Sequence, residues 1–266
     1  GVLVTMNGTI NAVNDINGGT GVGIYVNGNI KHEENSPIIN LTDTTKITST
    51  GNGIYSAGYA TYNINGAYIE GVESALGIKS GDFNIINGTI IGTGEDKTPT
   101  TGNNNGINPS GVAIQIESNS GYKGDIELTI KNGNIESKHS NTIYEYTVGS
   151  TPTKVKNINI SGGTYTSPTS KPNFQLSDSF KNIHQKFISG GTYTSDPTDY
   201  LKSGYSAEKN KSLYEVINNT ISTFAFTNNN NKNNNLTSII IITIIIITIA
   251  IIFLNRNKIF NKFKKK

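Results

Sequence analysis

A short phrase that returns along the chain constrains its fold more than any other feature. The segment Ile188–Ser195 repeats Ile160–Ser167 letter for letter, and each copy centres on a Gly-Gly pair. Looser copies, with Asn-Gly in place of Gly-Gly and an apolar residue two places later, are Met6–Ile10, Val26–Ile30, Ile64–Tyr68, Ile86–Ile90 and Lys131–Ile135. The copies fit a base period of roughly 20 to 22 residues, with one copy skipped twice, and such a period is typical of solenoids.

Each copy has the properties of a sharp corner between two strands. Asn and Gly both tolerate positive φ, so the pair favours a tight turn. Before the corner, apolar residues alternate with period two, as in Phe83 and Ile85 or Ile158 and Ile160, which is strand spacing. The apolar column two residues after each glycine is expected to face a core. It consists of Ile10, Ile30, Tyr68, Ile90, Ile135, Tyr165 and Tyr193.

The position of the last inward residue before the corner differs between copies. It directly precedes the Asn in the early copies and lies two places earlier in the later ones. Because a one-residue change reverses which side chains point inward, the sequence predicts a corner one residue longer in the later coils. Counting the skipped copies, we expect roughly nine coils and a rod on the order of 40 Å long.

The fold class that fits these patterns is all-β, a right-handed parallel β-helix solenoid. A single Asn-Gly between alternating runs would favour a two-residue β-hairpin. One phrase per unit, repeated seven times, favours stacked parallel coils instead. Leucine-rich repeats share the period but need Leu at fixed positions, where this chain has Ile.

Charge and composition exclude some classes of function. The 266 residues include 22 basic and 19 acidic ones, and six of the basic residues lie between Arg256 and Lys266. The rest of the chain is therefore slightly acidic, which argues against a nucleic-acid partner. Cysteine is absent, and a solenoid core of this size needs no disulfides.

A second recurring phrase, a glycine followed by a short strand, predicts one outward row of side chains. The candidate ligand-binding residues on that row are Tyr25, Tyr55, Lys79, Gln115 and Tyr144. Exposed Tyr side chains on a flat sheet could stack on sugar rings. The alternative is that Tyr occurs there only because of its strand propensity. The segment 98–108 has no strand pattern and is predicted to be a protruding loop.

The pattern changes after the last copy of the phrase. Ser195 or Asp196, followed by Pro197, predicts one helical turn, and two short strands are expected around residues 209–212. The open end of a β-helix exposes unpaired edges and core, so this segment is expected to act as a cap.

The same segment carries a resemblance to a known family. The phrase Ile188–Tyr193, followed by Ser195-Asp196-Pro197, Tyr200 and Gly204-Tyr205, resembles the closing unit of pectin-lyase-like, right-handed parallel β-helix surface proteins of gut bacteria. The resemblance covers residues 158–216 well and the earlier coils in style. It implies a cell-surface, carbohydrate-associated or adhesive role, and it supplies no catalytic residues.

A membrane anchor is predicted at the C-terminal end. An Asn-rich tract precedes Leu236–Leu254, whose 19 residues would span about 28 Å as a helix. The basic residues lie only on its C-terminal side, which predicts a cytoplasmic tail and extracellular repeats. No Leu-Pro-x-Thr-Gly box precedes the segment, so retention by the helix, in contact with membrane lipid, is expected. The residues chosen to represent the anchor are Leu236, Ile240, Ile245, Ile252, Leu254, Arg256 and Lys264.

The sequence thus predicts five segments and a function at the cell surface. In chain order they are a parallel β-helix (1–194), a cap (195–217), an Asn-rich linker (218–235), a transmembrane helix (236–254) and a basic tail (255–266). The predicted function is a stalk or adhesin that contacts glycans or another cell surface, with no cofactor. The alternative is a polysaccharide lyase or glycoside hydrolase. It is disfavoured because the one Arg lies in the tail and the Asp residues outside the cap never pair in sequence.

Overall fold

The structure, a computed structural model, describes residues 1–14, 20–28, 35–97, 110–148 and 152–219. Residues 1–218 fall in one compact unit. The strands of the described residues are β1 (Leu3–Met6), β2 (Thr9–Ala12), β3 (Ile24–Val26), β4 (Ile38–Leu41), β5 (Lys46–Ser49), β6 (Asn52–Ser56), β7 (Thr61–Gly71), β8 (Ser74–Ile78), β9 (Gly81–Gly92), β10 (Val112–Ser118), β11 (Ile126–Ile130), β12 (Asn134–Ser137), β13 (Ile143–Thr147), β14 (Val155–Ile160), β15 (Thr164–Thr166), β16 (Phe174–Gln175), β17 (Thr192–Tyr193), β18 (Tyr205–Asn210) and β19 (Leu213–Asn218). The described residues also contain helix α1 (Asp178–Ile183) and a 3₁₀ turn at Thr198–Tyr200.

All the strands except β18 and β19 form three parallel ladders through which the chain passes in turn. Ladder 1 contains β1, β4, the first halves of β7 and β9, β11 and β14. Ladder 2 contains β2, β5, the second halves of β7 and β9, β12, β15 and β17. Ladder 3 contains β3, β6, β8, β10, β13 and β16. The molecule is thus all-β with parallel sheets, consistent with a β-helix solenoid. The right-handed sense of the winding stays a prediction.

The core lies between the ladders, and its columns are the alternating apolar positions of the sequence. Ile64, Ile85, Ile130 and Ile160 are fully buried on ladder 1, and Ile69, Ile90, Ile135, Tyr165 and Tyr193 are fully buried on ladder 2. Alternate residues of each strand point outward, because successive side chains of a strand lie on opposite faces. The glycines at the corners have positive φ, and a Cβ on Gly133 would lie 2.8 Å from the carbonyl oxygen of Gly88 in the neighbouring coil.

Direct pairing of the strands corrects the predicted number of coils. Because β12 pairs with β9 through Asn134 and Thr89, the long interval between Gly88 and Gly133 is one coil with insertions and no copy is skipped there. The copy at Gly28 directly follows β3 of ladder 3, whereas the other described copies lie between ladders 1 and 2. Ladder 2 has seven parallel strands in the described residues, so the prediction of nine coils is wrong. At about 4.8 Å per strand the stack is about 30 Å long, shorter than predicted.

One position of the predicted inward column is also corrected. Tyr68 is half-buried and faces outward, with the Lys46 Nζ 5.4 Å from its ring centroid, while Ile69 pairs with Ile90 and takes the core position. The interval from Ile64 to Ile69 therefore equals that from Ile85 to Ile90. For these two copies the prediction of a longer corner in the later coil is therefore wrong. The Asn-Gly pair lies one residue further from the preceding inward isoleucine in the later copy, but the inward positions on either side of the corner are equally far apart in both.

The last coil is covered by a hairpin and a group of aromatic side chains. Antiparallel β18 and β19 close ladder 2, since β19 pairs with β17 through Thr192 and Glu215. The turn at Thr198–Tyr200 begins where Asp196 Oδ1 accepts a hydrogen bond from the Thr198 N–H at 2.9 Å. Residues 195–217, for which a cap is predicted, contain this turn and nearly all of the hairpin.

Several predicted segments lie outside the described residues. These are the loop at 98–108, most of the linker at 218–235, the transmembrane helix at 236–254 and the tail at 255–266. Residue Ile30 of the predicted core column and all seven anchor residues, Leu236, Ile240, Ile245, Ile252, Leu254, Arg256 and Lys264, belong to this group. Among the residues that are described, no helix combines the length and apolar character needed to cross a membrane.

Candidate functional site

The predicted ligand-binding row lies on the outer face of ladder 3, with one member displaced. The register aligns Tyr25, Tyr55, Gln115 and Tyr144 as the sequence predicts. The residue of β8 in that row is Gly77, and Lys79 lies two residues further along the chain. The placement of Lys79 in this row is therefore wrong. The error arose because the recurring phrase of that coil lies two residues later than in the other coils. A shift of two residues leaves the side chain on the same face of the strand.

The row is not uniformly exposed. Tyr25 is 58% exposed and stacks on the half-buried Tyr55, with ring centroids 5.6 Å apart. Tyr144 is half-buried, but Gln115 and Lys79 are fully buried. An outward direction therefore does not make Lys79 and Gln115 accessible, because neighbouring segments cover the outer face of ladder 3 at these two positions. Their proposed role in ligand binding is not supported by accessibility.

Lys79 and Gln115 belong to a buried polar cluster, which we call the ladder-3 cluster and define as Tyr55, Lys79, Gln115, Glu117, Asn119, Tyr122 and Tyr146. Lys79 Nζ contacts Glu117 Oε2, and both side chains are 0% exposed. Tyr146 Oη donates to Glu117 Oε2 at 2.6 Å and accepts from Gln115 Nε2 at 3.0 Å. The segment after β10 contributes to the cover, since Tyr122 Oη lies 3.2 Å from Tyr55 Oη.

The environment of the cluster shifts the pKa values of its members. Burial lowers the pKa of Lys79, and the negative charges of Glu117 and Glu73 partly oppose this shift. Burial also raises the pKa values of Tyr55 and Tyr122. The neighbouring Lys154 donates to the carbonyl oxygen of Tyr122 at 2.8 Å, and burial lowers its pKa to about 8. Perturbed pKa values occur both in functional and in structural clusters, so they do not by themselves make this cluster a binding site. Its central residues, Lys79, Gln115 and Glu117, are not accessible to solvent.

An open groove lies on a different face, between ladder 1 and the end of α1. Its volume is about 630 Å³. We call it the α1 groove and define it by its lining residues, Thr129, Asn157, Ile158, Asn159, Asn182, Ile183, His184, Gln185, Lys186, Phe187 and Lys202. The floor comes from the outward positions of β11 and β14, and the wall comes from the end of α1 and the residues that follow it.

Local sequence explains why the groove forms at this coil. Pairing between β11 and β14 shifts register by one residue after Ile126, so Lys156 is the extra residue of a β-bulge. Ser177 caps α1, and its Oγ accepts from the Phe180 N–H at 3.2 Å. Phe180 and Phe187 are buried beneath the helix, with ring centroids 5.8 Å apart. The helix is thereby held against the last coils and its C-terminal residues line the groove.

Hydrogen bonds fix the polar side chains of the α1 groove. Lys202 Nζ donates to Asn159 Oδ1 at 2.5 Å, and Lys186 Nζ donates to the carbonyl oxygen of Asp199 at 2.9 Å. His184 Nε2 lies 2.6 Å from the carbonyl oxygen of Val155 and donates to it, because a carbonyl oxygen can only accept. Ile183 is 62% exposed at the rim. Sequence reasoning missed this groove, since helix α1 falls inside the segment predicted to be solenoid and the repeat carries no signal for it.

A second outward surface carries a row of amides on ladder 1. Asn63 Nδ2 donates to Asn40 Oδ1 at 2.9 Å, and Asn84 Nδ2 lies 3.2 Å from Asp82 Oδ2. Asn40 and Asn63 line a depression with a volume of about 730 Å³, together with corner residues, Leu41 and Ile86. These amides bond to one another along the stack, so they stabilise the coils as well as presenting polar groups to solvent.

Comparison with known proteins adds no family assignment. No family model matches the chain, no curated protein matches it, and no solved structure matches it. Within the described residues, no three His, Cys, Asp or Glu side chains are grouped so that they could hold a metal ion. The enzymatic alternative, a polysaccharide lyase or glycoside hydrolase, stays a prediction.

Proposed function

We propose that the protein is a cell-surface solenoid that binds a glycan in the α1 groove. In this proposal the repeats form a right-handed β-helix of the pectin-lyase-like kind. The segment 236–254 anchors them in the membrane, with the repeats outside the cell. The protein then acts as a stalk or adhesin that holds on to a sugar chain of a host, a neighbouring cell or the surrounding matrix.

The observation that carries this proposal is the composition of the α1 groove. Sugars are recognised through hydroxyl groups that both donate and accept hydrogen bonds and through the apolar faces of their rings. Amide side chains such as Asn157 and Asn182 offer both donor and acceptor atoms. The exposed Ile183 offers an apolar contact at the rim. The groove is open to solvent and extends over the neighbouring strands β11 and β14, which suits a chain-like ligand better than a small enclosed molecule.

The charges of the groove favour a sugar with an anionic group. Two lysines, Lys186 and Lys202, line it, and none of its described lining residues is Asp or Glu. The body of the protein outside the tail is slightly acidic, so the groove differs in sign from its surroundings. A carboxylate or sulfate on the sugar would gain charge-assisted hydrogen bonds from these lysines.

Tyr25 and Tyr55 offer a second contact for the same class of ligand. Their stacked rings lie at the N-terminal end of ladder 3, and Tyr25 is well exposed. A tyrosine face can pack against a sugar ring. The proposal therefore keeps Tyr25 and Tyr55 from the predicted row as a secondary contact and places the main contact in the α1 groove.

A glycan array probed with the full chain in detergent tests the proposal. We expect binding to acidic oligosaccharides, and we expect the double variant Asn157→Ala, Lys202→Met to lose at least tenfold in affinity. The matched control is Asn63→Ala, which removes an outward amide from the same ladder, away from the α1 groove, and should bind as the wild type does. If the double variant binds as tightly as Asn63→Ala does, or if only Tyr25→Ala loses binding, the main contact is not in the α1 groove.

A further inference from the structure

The ladder-3 cluster contains an amine and a carboxyl group in contact, away from solvent and between two adjacent coils. Ile78 pairs with Ile116, so Lys79 and Glu117 occupy the next aligned position of neighbouring strands. Lys79 Nζ touches Glu117 Oε2, and the exposed fraction of both side chains is zero. An ordinary surface ion pair has water around it. This one is enclosed by the rings of Tyr55 and Tyr122, whose centroids lie 5.3 and 5.2 Å from Lys79 Nζ.

We propose that Lys79 and Glu117 condense spontaneously into an isopeptide bond that joins the two coils covalently. The two groups already meet the first requirement of an intramolecular reaction, because the fold holds the nucleophile against the electrophile and removes the entropic cost of an encounter. No enzyme, metal or oxidant is needed, since amide formation from an amine and a carboxylic acid only releases water.

The reaction uses the neutral amine of Lys79, and its proton can pass directly to Glu117 because the two groups are in contact. Moving one proton from the Lys79 ammonium to the Glu117 carboxylate converts a charged pair into a neutral amine and a neutral acid. The total charge does not change, so the exchange needs no proton from outside the enclosed pair. The lowered pKa of Lys79, caused first by burial, agrees with this direction.

The neighbours of Glu117 are placed to assist the step. Asn119 Nδ2 donates to Oε1 at 2.8 Å, and Tyr146 Oη donates to Oε2 at 2.6 Å. Asn119 stabilises the negative charge that develops on Oε1 when the carbon becomes tetrahedral, as an oxyanion-hole donor does. Tyr146 contacts Oε2, which Lys79 also contacts and which is the oxygen that leaves. Gln115 in turn donates to Tyr146 Oη and holds the phenol in place.

The bonds and protons of the reaction balance. The lone pair of the neutral Lys79 Nζ forms a bond to Glu117 Cδ, and the C–O bond to the protonated oxygen breaks with its electron pair. The departing hydroxide takes one proton from the nitrogen, directly or through the Tyr146 hydroxyl, and leaves as water. The products are one secondary amide and one water molecule. The amide links residues 38 positions apart and pins the coil between them.

Mass spectrometry of the full chain, solubilised in detergent and then denatured, tests the proposal without any variant. We expect an intact mass lower than the sequence mass by one water, and a branched tryptic peptide that contains both Lys79 and Glu117, uncleaved after Lys79. A full-length mass equal to the sequence mass, with normal tryptic cleavage after Lys79, overturns the proposal.

Two variants and one internal control test which side-chain groups form the bond. Lys79→Arg keeps a cation but lacks the amine, so it should show its unmodified mass. Glu117→Gln should release ammonia and give the same cross-linked mass as the wild type. The control pair Lys138 and Glu136 is also in contact, but it is 49% and 21% exposed and should stay unlinked. A water loss that persists in Lys79→Arg, or that maps to Lys138, contradicts the assignment.

Discussion

Tyr165 and Tyr193 stack with ring centroids 4.6 Å apart and ring planes inclined by 9°. They occupy the same position in the two identical copies of the repeated phrase, and each hydroxyl donates to the carbonyl oxygen of the first glycine of its own corner, Gly162 or Gly190. The identical phrases therefore lie directly above one another in neighbouring coils. Equivalent residues of the two copies are thus in contact across neighbouring strands, at the spacing of a parallel ladder.

Removal of the Tyr193 ring should destabilise the last coils. Tyr193→Ala deletes a fully buried aromatic side chain and leaves a cavity, which costs about 3–5 kcal/mol of the free energy of unfolding. Tyr193→Phe keeps the ring but loses the hydrogen bond to Gly190 and should cost about 1 kcal/mol. Chemical denaturation of the full chain in detergent measures both. Tyr25→Ala, at an exposed position, is the control and should stay within about 0.5 kcal/mol.

Two adjacent isoleucines test the inward and outward register of ladder 1. Ile85→Asp buries a carboxylate without a partner and should abolish the cooperative thermal transition of the neighbouring coils. Ile86→Asp places the same charge on a side chain that is 40% exposed, and its transition should stay close to that of the wild type. Circular dichroism on heating distinguishes the two. Similar melting of both variants would mean that the register described for this strand is wrong. Ile160→Asp should behave as Ile85→Asp does, because Ile160 is also fully buried.

The pH dependence of stability should carry a contribution from Lys154. Burial lowers its pKa to about 8 in the folded protein, below the value of about 10.4 for an unperturbed lysine. The unfolded chain therefore binds more protons than the folded one between these two values, so the contribution of Lys154 to stability rises as pH rises through about 8. Below pH 8, protonation of this partly buried amine opposes folding.

Comparison with Lys154→Met isolates that contribution. We expect the free energy of unfolding of the wild type to increase relative to the variant between pH 7 and about 9, below the range in which unperturbed tyrosines ionise. Denaturation with urea at a series of pH values measures the difference. A difference that stays constant across this range would show that Lys154 titrates as an ordinary exposed lysine.

Anchoring by Leu236–Leu254 stays a prediction that protease protection can test. The segment is long enough to cross the hydrocarbon layer and is followed by a basic tail, so the chain should partition with membranes. Protease added outside intact cells should remove the repeats and leave a tag at the C-terminus protected. Truncation after Ile217 should release a soluble rod. Digestion of the tag from outside would contradict the proposed orientation.

The sequence by itself determined the class of fold and most of the core. Alternation around a recurring corner is a local property, because each strand must direct every second side chain inward. It therefore predicted the parallel strands and the buried positions of Ile85, Ile90, Ile135, Tyr165 and Tyr193. It also predicted that the outward row would include Tyr25 and Tyr55, which share one register in ladder 3.

Only the tertiary structure decided which copies are equivalent and which surfaces are open. The Asn-Gly at Gly28 looks like the others in sequence, but it directly follows β3 in ladder 3, and pairing between strands is what reveals this. Likewise, alternation places Gln115 outward without showing that it is covered. The α1 groove and the contact between Lys79 and Glu117 join residues from different coils. Such sites depend on insertions and on long-range register, and no local period of the sequence encodes either.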